Sequence, residues 1–399
     1  MSAVDPHAVT ANGFERFSLC EGGRVHAALT RRGLAGGARG RLLFVAALLA
    51  TGWLPPLILS ALAGTAAGGV QLPYLADLGV WVRFLVFVPM AVAAEPFTDR
   101  VLGDVLRRLH DDALVADAGV PAFTAEVERT QALATSDTAE LLLAAIAFVL
   151  PHLVAAQVLD LLDGVTMWAA GSGQIQGLSP AGRWYAWVSL PLTEFLLLRW
   201  LWRLLVWWRL LWKTGRLPLA LVPAHPDQVG GLQFLPAAAA GFLPVFVATS
   251  AVAAAAVSVR ISHAGATLAE WRVPIVGFVV LELILLVVPQ FFFAPALLRA
   301  RRQALARFAR AGAAAARAFE RSWLGSGAGS PQELLESNHP GALADFNSTF
   351  AVVRQMRPWG LNLRVLAGLA LPLLVPFAPL LLHEYSAREL FKVVLAMVR

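Results

Sequence analysis

The chain has 399 residues, 58% of them hydrophobic and only 15% charged, and its mean hydropathy is +0.65. That composition excludes an ordinary water-soluble domain and a disordered chain. The net charge of +6 is no nucleic-acid signature, because the arginines sit beside apolar blocks, and the lone Cys20 excludes an intramolecular disulfide or a cysteine-based metal site.

The apolar residues come in blocks of about 20, the length that crosses ~30 Å of hydrocarbon as helix. Lipid offers the backbone no hydrogen-bond partner, so such blocks are read as spanning helices. The expected fold is all-α: a polytopic membrane helix bundle of six to seven transmembrane helices with cytoplasmic helical extensions. Residues 1–41 form a polar, Gly- and Arg-rich cytoplasmic arm with no signal-peptide core and little expected order. Segment one, 42–63, should kink at Pro55-Pro56. Segment two, 78–97, carries Arg83 and Glu95, and an amphipathic helical insert follows over 98–138.

Segment three, 139–159, contains Pro151-His152. Segment four, 184–204, contains Glu194, Arg199 and Arg203. Past its end Arg209 and a cluster of tryptophans mark a headgroup-level anchor. Segment five, 235–259, is Ala-rich, so neighbouring backbones can approach closely. Segment six, 273–297, contains Glu282 and runs into a cytoplasmic Arg-rich helix and linker over 298–360. The last region, 361–399, holds a segment with Pro372, Pro376 and Pro379 and then a tail. It is read as a crossing in preference to a re-entrant hairpin. Lys and Arg concentrate in alternate loops, which places the N-terminus and the basic stretches in the cytoplasm. The excess of Arg over Lys, with abundant Ala, Leu and Val, suggests a GC-rich bacterial genome and so an inner membrane.

Ionisable residues inside a membrane are expensive, so each is a functional hypothesis. Glu194 and Glu282 fall near the middle of their segments, His152 lies somewhat outward, and Thr249 and Ser250 sit at comparable depth. Two such carboxylates and an imidazole suit a proton or cation path. The plainer alternative pairs Glu194 with Arg199, Arg203 or Arg83 as a structural ion pair. A second constellation is the polar loop His225-Pro226-Asp227-xx-Gly230-Gly231 between segments four and five. His225 and Asp227 can share one divalent ion, with His110, Asp111, Asp112 or His339 completing its shell, while Gly230 and Gly231 let backbone approach a ligand. The alternative is a turn that caps its own amides.

The residues His225-Pro226-Asp227-xx-Gly230-Gly231-Leu232-x-Phe234-Leu235, with Met356-Arg357-Pro358 before a Pro-rich last segment, resemble an uncharacterised family of multi-spanning bacterial inner-membrane proteins. The resemblance implies fold and location, not activity. The leading functional expectation is a channel or transporter for ions or small solutes. A membrane-anchored sensor or scaffold with a ligand, metal or partner at its cytoplasmic face comes second, and a membrane enzyme acting on lipid third. No catalytic residue and no cofactor follow from the sequence. Expected partners are bilayer lipids, with anionic headgroups at Arg299, Arg301 and Arg302, while a homo-oligomer stays open and nucleic acid is not expected.

Overall fold

A computed structural model describes residues 17–23, 30–31, 37–160, 165–170, 177–323 and 339–384, without the side chains of 152, 154–160, 322–323 and 339–340. Among them the chain is helical and forms no β-strand. Helices α1 (Gly37–Gly52) and α2 (Leu54–Leu62) break just before Pro55-Pro56, where proline removes amide donors from the helical ladder. Helix α3 (Leu78–Asp111) is interrupted by a π turn at Arg83–Phe87. Asp77 caps it by accepting from Val80 N at 3.3 Å. Helices α4 (Val120–Ala134) and α5 (Asp137–Asp160) follow.

Helix α6 covers 180–214 with its own π turn at Tyr185–Ser189, and Ser179 caps its start. Then come α7 (Ala237–His263), α8 (Leu268–Val287), a 3-10 run (Val288–Phe293), α9 (Ala294–Trp323) and α10 (His339–Gln355). The last is α11 (Leu363–Leu374), which tightens into a 3-10 run at Val375–His383.

Five stretches are long and apolar enough to cross a membrane: Gly37–Leu62, Leu78–Asp111, Ala237–His263, Leu268–Arg321 and Leu363–His383. A sixth is reached if the bent pair Asp117–Ala134 and Asp137–Pro151 counts as one span. The chain is therefore an all-α, multi-pass membrane protein. Helix α6, the expected fourth segment, is not among the five. Its tryptophans and charges dilute its apolarity, and it packs on α3, α4 and α5 instead.

Helix α7 is the hub, with α3, α8 and α11 packed around it. Its buried alanines (Ala238, Ala239, Ala248, Ala254) let α3 come close enough for Thr98 Oγ1 to donate to Gly241 O at 2.8 Å. The connecting loops sort to opposite ends. At one end, Leu72 N donates to Thr166 O and Trp168 N to Leu72 O, both at 3.0 Å, while Tyr74 packs edge-on to Trp168. At the other, Ala116 N donates to Pro218 O at 3.0 Å, Ala220 N to Leu114 O at 2.9 Å and Arg357 N to Gln228 O at 2.7 Å. The second end holds the basic stretches.

The final run follows α7 from one end to the other. Gly360 lies beside Pro236, and at the far end His383 Nε2 is 3.2 Å from Ser258 Oγ while Arg272 pairs with Glu384 at 3.2 Å. The N-terminal arm is more ordered over 17–23 than its glycines suggested. Phe17, Leu19 and Cys20 are buried, and Asp99 accepts from Ser18 Oγ and from Leu19 N.

Candidate functional site: an intramembrane cavity with two carboxylates

Glu282 sits nine residues beyond Val273, the start of the apolar run in α8. At 1.5 Å per residue that is ~14 Å, close to half of a ~30 Å hydrocarbon layer. Its side chain is buried, and its two oxygens are held separately. Thr249 Oγ1 approaches Oε1 at 2.5 Å and Ser250 Oγ approaches Oε2 at 2.6 Å, both from α7. A carboxylate cannot stay unpartnered in hydrocarbon, and adjacent hydroxyls on the Ala-rich hub meet that need without adding charge.

Glu282 lines a cavity of about 340 Å³ between α3, α6, α7 and α8. Glu194 reaches the same cavity from α6, so the structure brings together two of the three path residues singled out in the sequence. The side chain of the third, His152, lies outside the described residues. A residue that sequence reasoning weighed only as a partner for Glu194 also lines the space. Arg83 stands at the start of the π turn in α3, and Phe87 at its end faces the same cavity. A π turn re-phases the side chains on either side of it, and such bulges recur at functional sites. Arg83 in an apolar run was the signal available beforehand; the π turn itself has no sequence signature.

Two of the three arginines weighed as partners for Glu194 are engaged elsewhere. Arg203 pairs with Glu95 at 2.9 Å, donates to Cys20 O at 3.3 Å and stacks on Trp200 at 4.9 Å. Arg199 lies 4.0 Å from Glu140, and Arg209 pairs with Glu126 at 2.9 Å. The basic face of α6 is thus sealed by acids of α3, α5 and α4, away from Glu194. Among the described residues, neither Arg83 nor Glu194 has an ion-pair partner within 4 Å. The cavity holds one guanidinium and two carboxylates within otherwise apolar walls that include Phe87, Trp200, Phe246 and Phe278.

The His225 loop resolves toward the plainer reading. The Asp227 side chain is only 6% exposed, and its carboxylate accepts from Val229 N at 2.9 Å, Gly231 N at 3.0 Å and Gln233 N at 3.2 Å. His225 Nδ1 lies 2.9 Å from Asp227 Oδ1. Gly230 and Gly231 have φ of +67° and +98°, and a β-carbon at Gly231 would meet Leu114 Cδ2 at 2.8 Å. The glycines therefore serve a tight packed turn. His110, Asp111 and Asp112 do not join the loop in a metal shell, and among the described residues no three His, Cys, Asp or Glu side chains gather for one. The side chain of His339 lies outside the described residues.

The two stretches that carried the family resemblance touch each other. Beyond the bond from Arg357 N, Gln228 Nε2 donates to Gln355 Oε1 at 3.2 Å, and a β-carbon at Gly230 would lie 3.2 Å from Met356 Cε. Compared with family models, curated proteins and solved structures, the chain matches none of them. Function has to be argued from the cavity itself.

The Arg-rich helix α9 packs on α10 through Phe308, which stacks on Phe346 at 5.7 Å and Phe350 at 5.9 Å. Arg301 Nη2 donates to Arg354 O at 2.9 Å, whereas Arg299 and Arg302 are exposed.

Proposed function

We propose that the protein is a channel or transporter for ions or small solutes, with its path through the cavity lined by Glu194 and Glu282. One observation carries this reading. Two carboxylates and an arginine from three helices line one space, and Glu282 stands near the middle of a helix apolar enough to span. A charged side chain at the bilayer centre costs about 2.5–3.5 kcal/mol even on insertion scales. A buried Glu282 sharing one void with a second carboxylate and an arginine is poorly explained as packing. With every group charged, the cavity carries one net negative charge, which a proton or a monovalent cation neutralises. Alternate occupancy by the two is the basis of proton-linked exchange.

On this reading the basic end, with the N-terminal arm, faces the cytoplasm of a bacterial inner membrane, and Arg299 and Arg302 meet anionic headgroups there. Ala253 lines the cavity and gives a direct test. In a Cys20→Ser background, Ala253→Cys should react with a cationic methanethiosulfonate faster than with an anionic one. No reaction with either reagent, from either side of the membrane, would mean that no path reaches the cavity.

A second reading has its own observation. A polar cleft of about 250 Å³ is lined by Asp227 and Gln228 of the His225 loop together with Gln233, Arg357 and Asn362, and a sensor would bind a small polar ligand there. A protein that passes no ion and whose cavity excludes both reagents would favour it.

A further inference from the structure

The cavity is not a closed vestibule. At the basic end α6 and the 3-10 run after α8 close tightly. A β-carbon at Gly215 would lie 2.6 Å from Phe292 O, and Trp208 packs edge-on to Phe292 at 6.2 Å. Away from that closure the two helices part. Helix α6 turns to α4 and α5, α8 turns to α7 and α11, and they form no packed pair with each other. The cavity fills the notch between them, with α7 as its back wall. Leu281 lines the cavity and is also 54% exposed, on a helix long and apolar enough to cross a membrane. The opening therefore faces the bilayer.

The lining sets the chemistry of what enters. Four aromatic rings and several aliphatic side chains make up most of the wall, with Arg83, Glu194 and Glu282 among the lining residues. Burying apolar ligand surface against such walls contributes ~25 cal/mol per Å², and ring faces attract cations. A bare inorganic cation would find oxygen ligands only at Glu194, Glu282, Thr193 and Thr249 and would gain nothing from the aromatic and aliphatic wall. An anion would raise the net negative charge, and a neutral guest would leave it uncompensated. We propose that the cavity receives, sideways from the bilayer, an apolar organic molecule bearing one positive charge. This deepens the transport reading and rests on it for the role of Glu194 and Glu282.

The probe is tetraphenylphosphonium, measured by equilibrium binding to the full chain in lipid nanodiscs. Tetraphenylborate has the same shape and the opposite charge. Tetraphenylphosphonium should bind at least about tenfold more tightly than tetraphenylborate, and Glu282→Gln should weaken its binding by about tenfold, a ~1.4 kcal/mol effect. Leu281→Trp, which narrows the notch and leaves the charges in place, should weaken binding or slow it, with thermal unfolding of both variants confirming that they fold. Equal binding of the two ions, or binding indifferent to Glu282→Gln, would overturn the proposal. Glu282-dependent flux of inorganic cations in a protein that binds no tetraphenylphosphonium would overturn this inference and leave the transport reading standing. Tetraphenylphosphonium bound at Glu282 by a protein that passes neither it nor inorganic cations would support the ligand class and overturn transport.

Discussion

Replacing Asp227 with alanine removes the acceptor for three backbone amides of one turn. Val229 N and Gly231 N are part-buried, while Gln233 N can reach water. A stranded buried donor costs about 1–3 kcal/mol, so the two sheltered amides predict a loss of about 2–6 kcal/mol. Asp227→Asn keeps one acceptor oxygen and should lose about 1–2 kcal/mol. His225 is 44% exposed, so His225→Ala should stay within about 0.5 kcal/mol of wild type. Thermal unfolding in detergent, followed by tryptophan fluorescence, should rank the midpoints as wild type, then Asp227→Asn, then Asp227→Ala, with a chelator changing none of them. If Asp227→Ala unfolds with wild type, the capping account is wrong. If a chelator drops wild type to the level of Asp227→Ala, the loop is a metal site after all.

Gly231→Ala should cost about 1–3 kcal/mol for a strained backbone angle, plus a clash with Leu114. In a double-mutant cycle Gly231→Ala and Leu114→Ala should therefore cost less together than the sum of the two; strict additivity would deny the clash. Glu95→Gln should destabilise by about 3–5 kcal/mol, because it strands the buried Arg203 charge. Arg203→Met should cost less because Glu95 is 28% exposed, and a double-mutant cycle should show coupling. Additive losses would deny the pair. Burial pushes the Cys20 thiol well above its ordinary value, with Arg203 pulling the other way. A raised value keeps the folded thiol protonated where an unfolded one ionises, so Cys20 should resist maleimide through pH 8–9, above the ~8.5 of a free thiol. Its contribution to stability is full below that value and fades as pH rises through the higher folded value. Asp99→Ala, which releases Ser18 and Leu19, should speed labelling; equally slow labelling would mean that the arm is held by its apolar contacts alone.

Much of the bundle was legible because apolar runs of spanning length have few other uses. Glu282 with Thr249 and Ser250 was legible too, since depth along two neighbouring segments brought them level. The partners of the α6 arginines were not. Arg199, Arg203 and Arg209 could have met any acid at their depth, and only packing selects Glu140, Glu95 and Glu126. The N-terminal arm misled for a related reason. Its glycines argued for looseness, but Phe17 and Leu19 bury against helices far along the chain. The π turn that carries Arg83 and Phe87 follows from tertiary packing, and no residue pattern announces it. At the His225 loop the sequence allowed both a metal and a cap, and only the positions of the Val229, Gly231 and Gln233 amides separate them.

The measurement closest to the central claim is ion flux in proteoliposomes, read by an internal pH dye under an imposed potassium gradient. Wild type should carry flux above empty liposomes, and Glu282→Gln and Glu194→Gln should each lose most of it while folding normally. Flux unchanged in both variants, or none above empty liposomes at any pH, would contradict a path through the cavity.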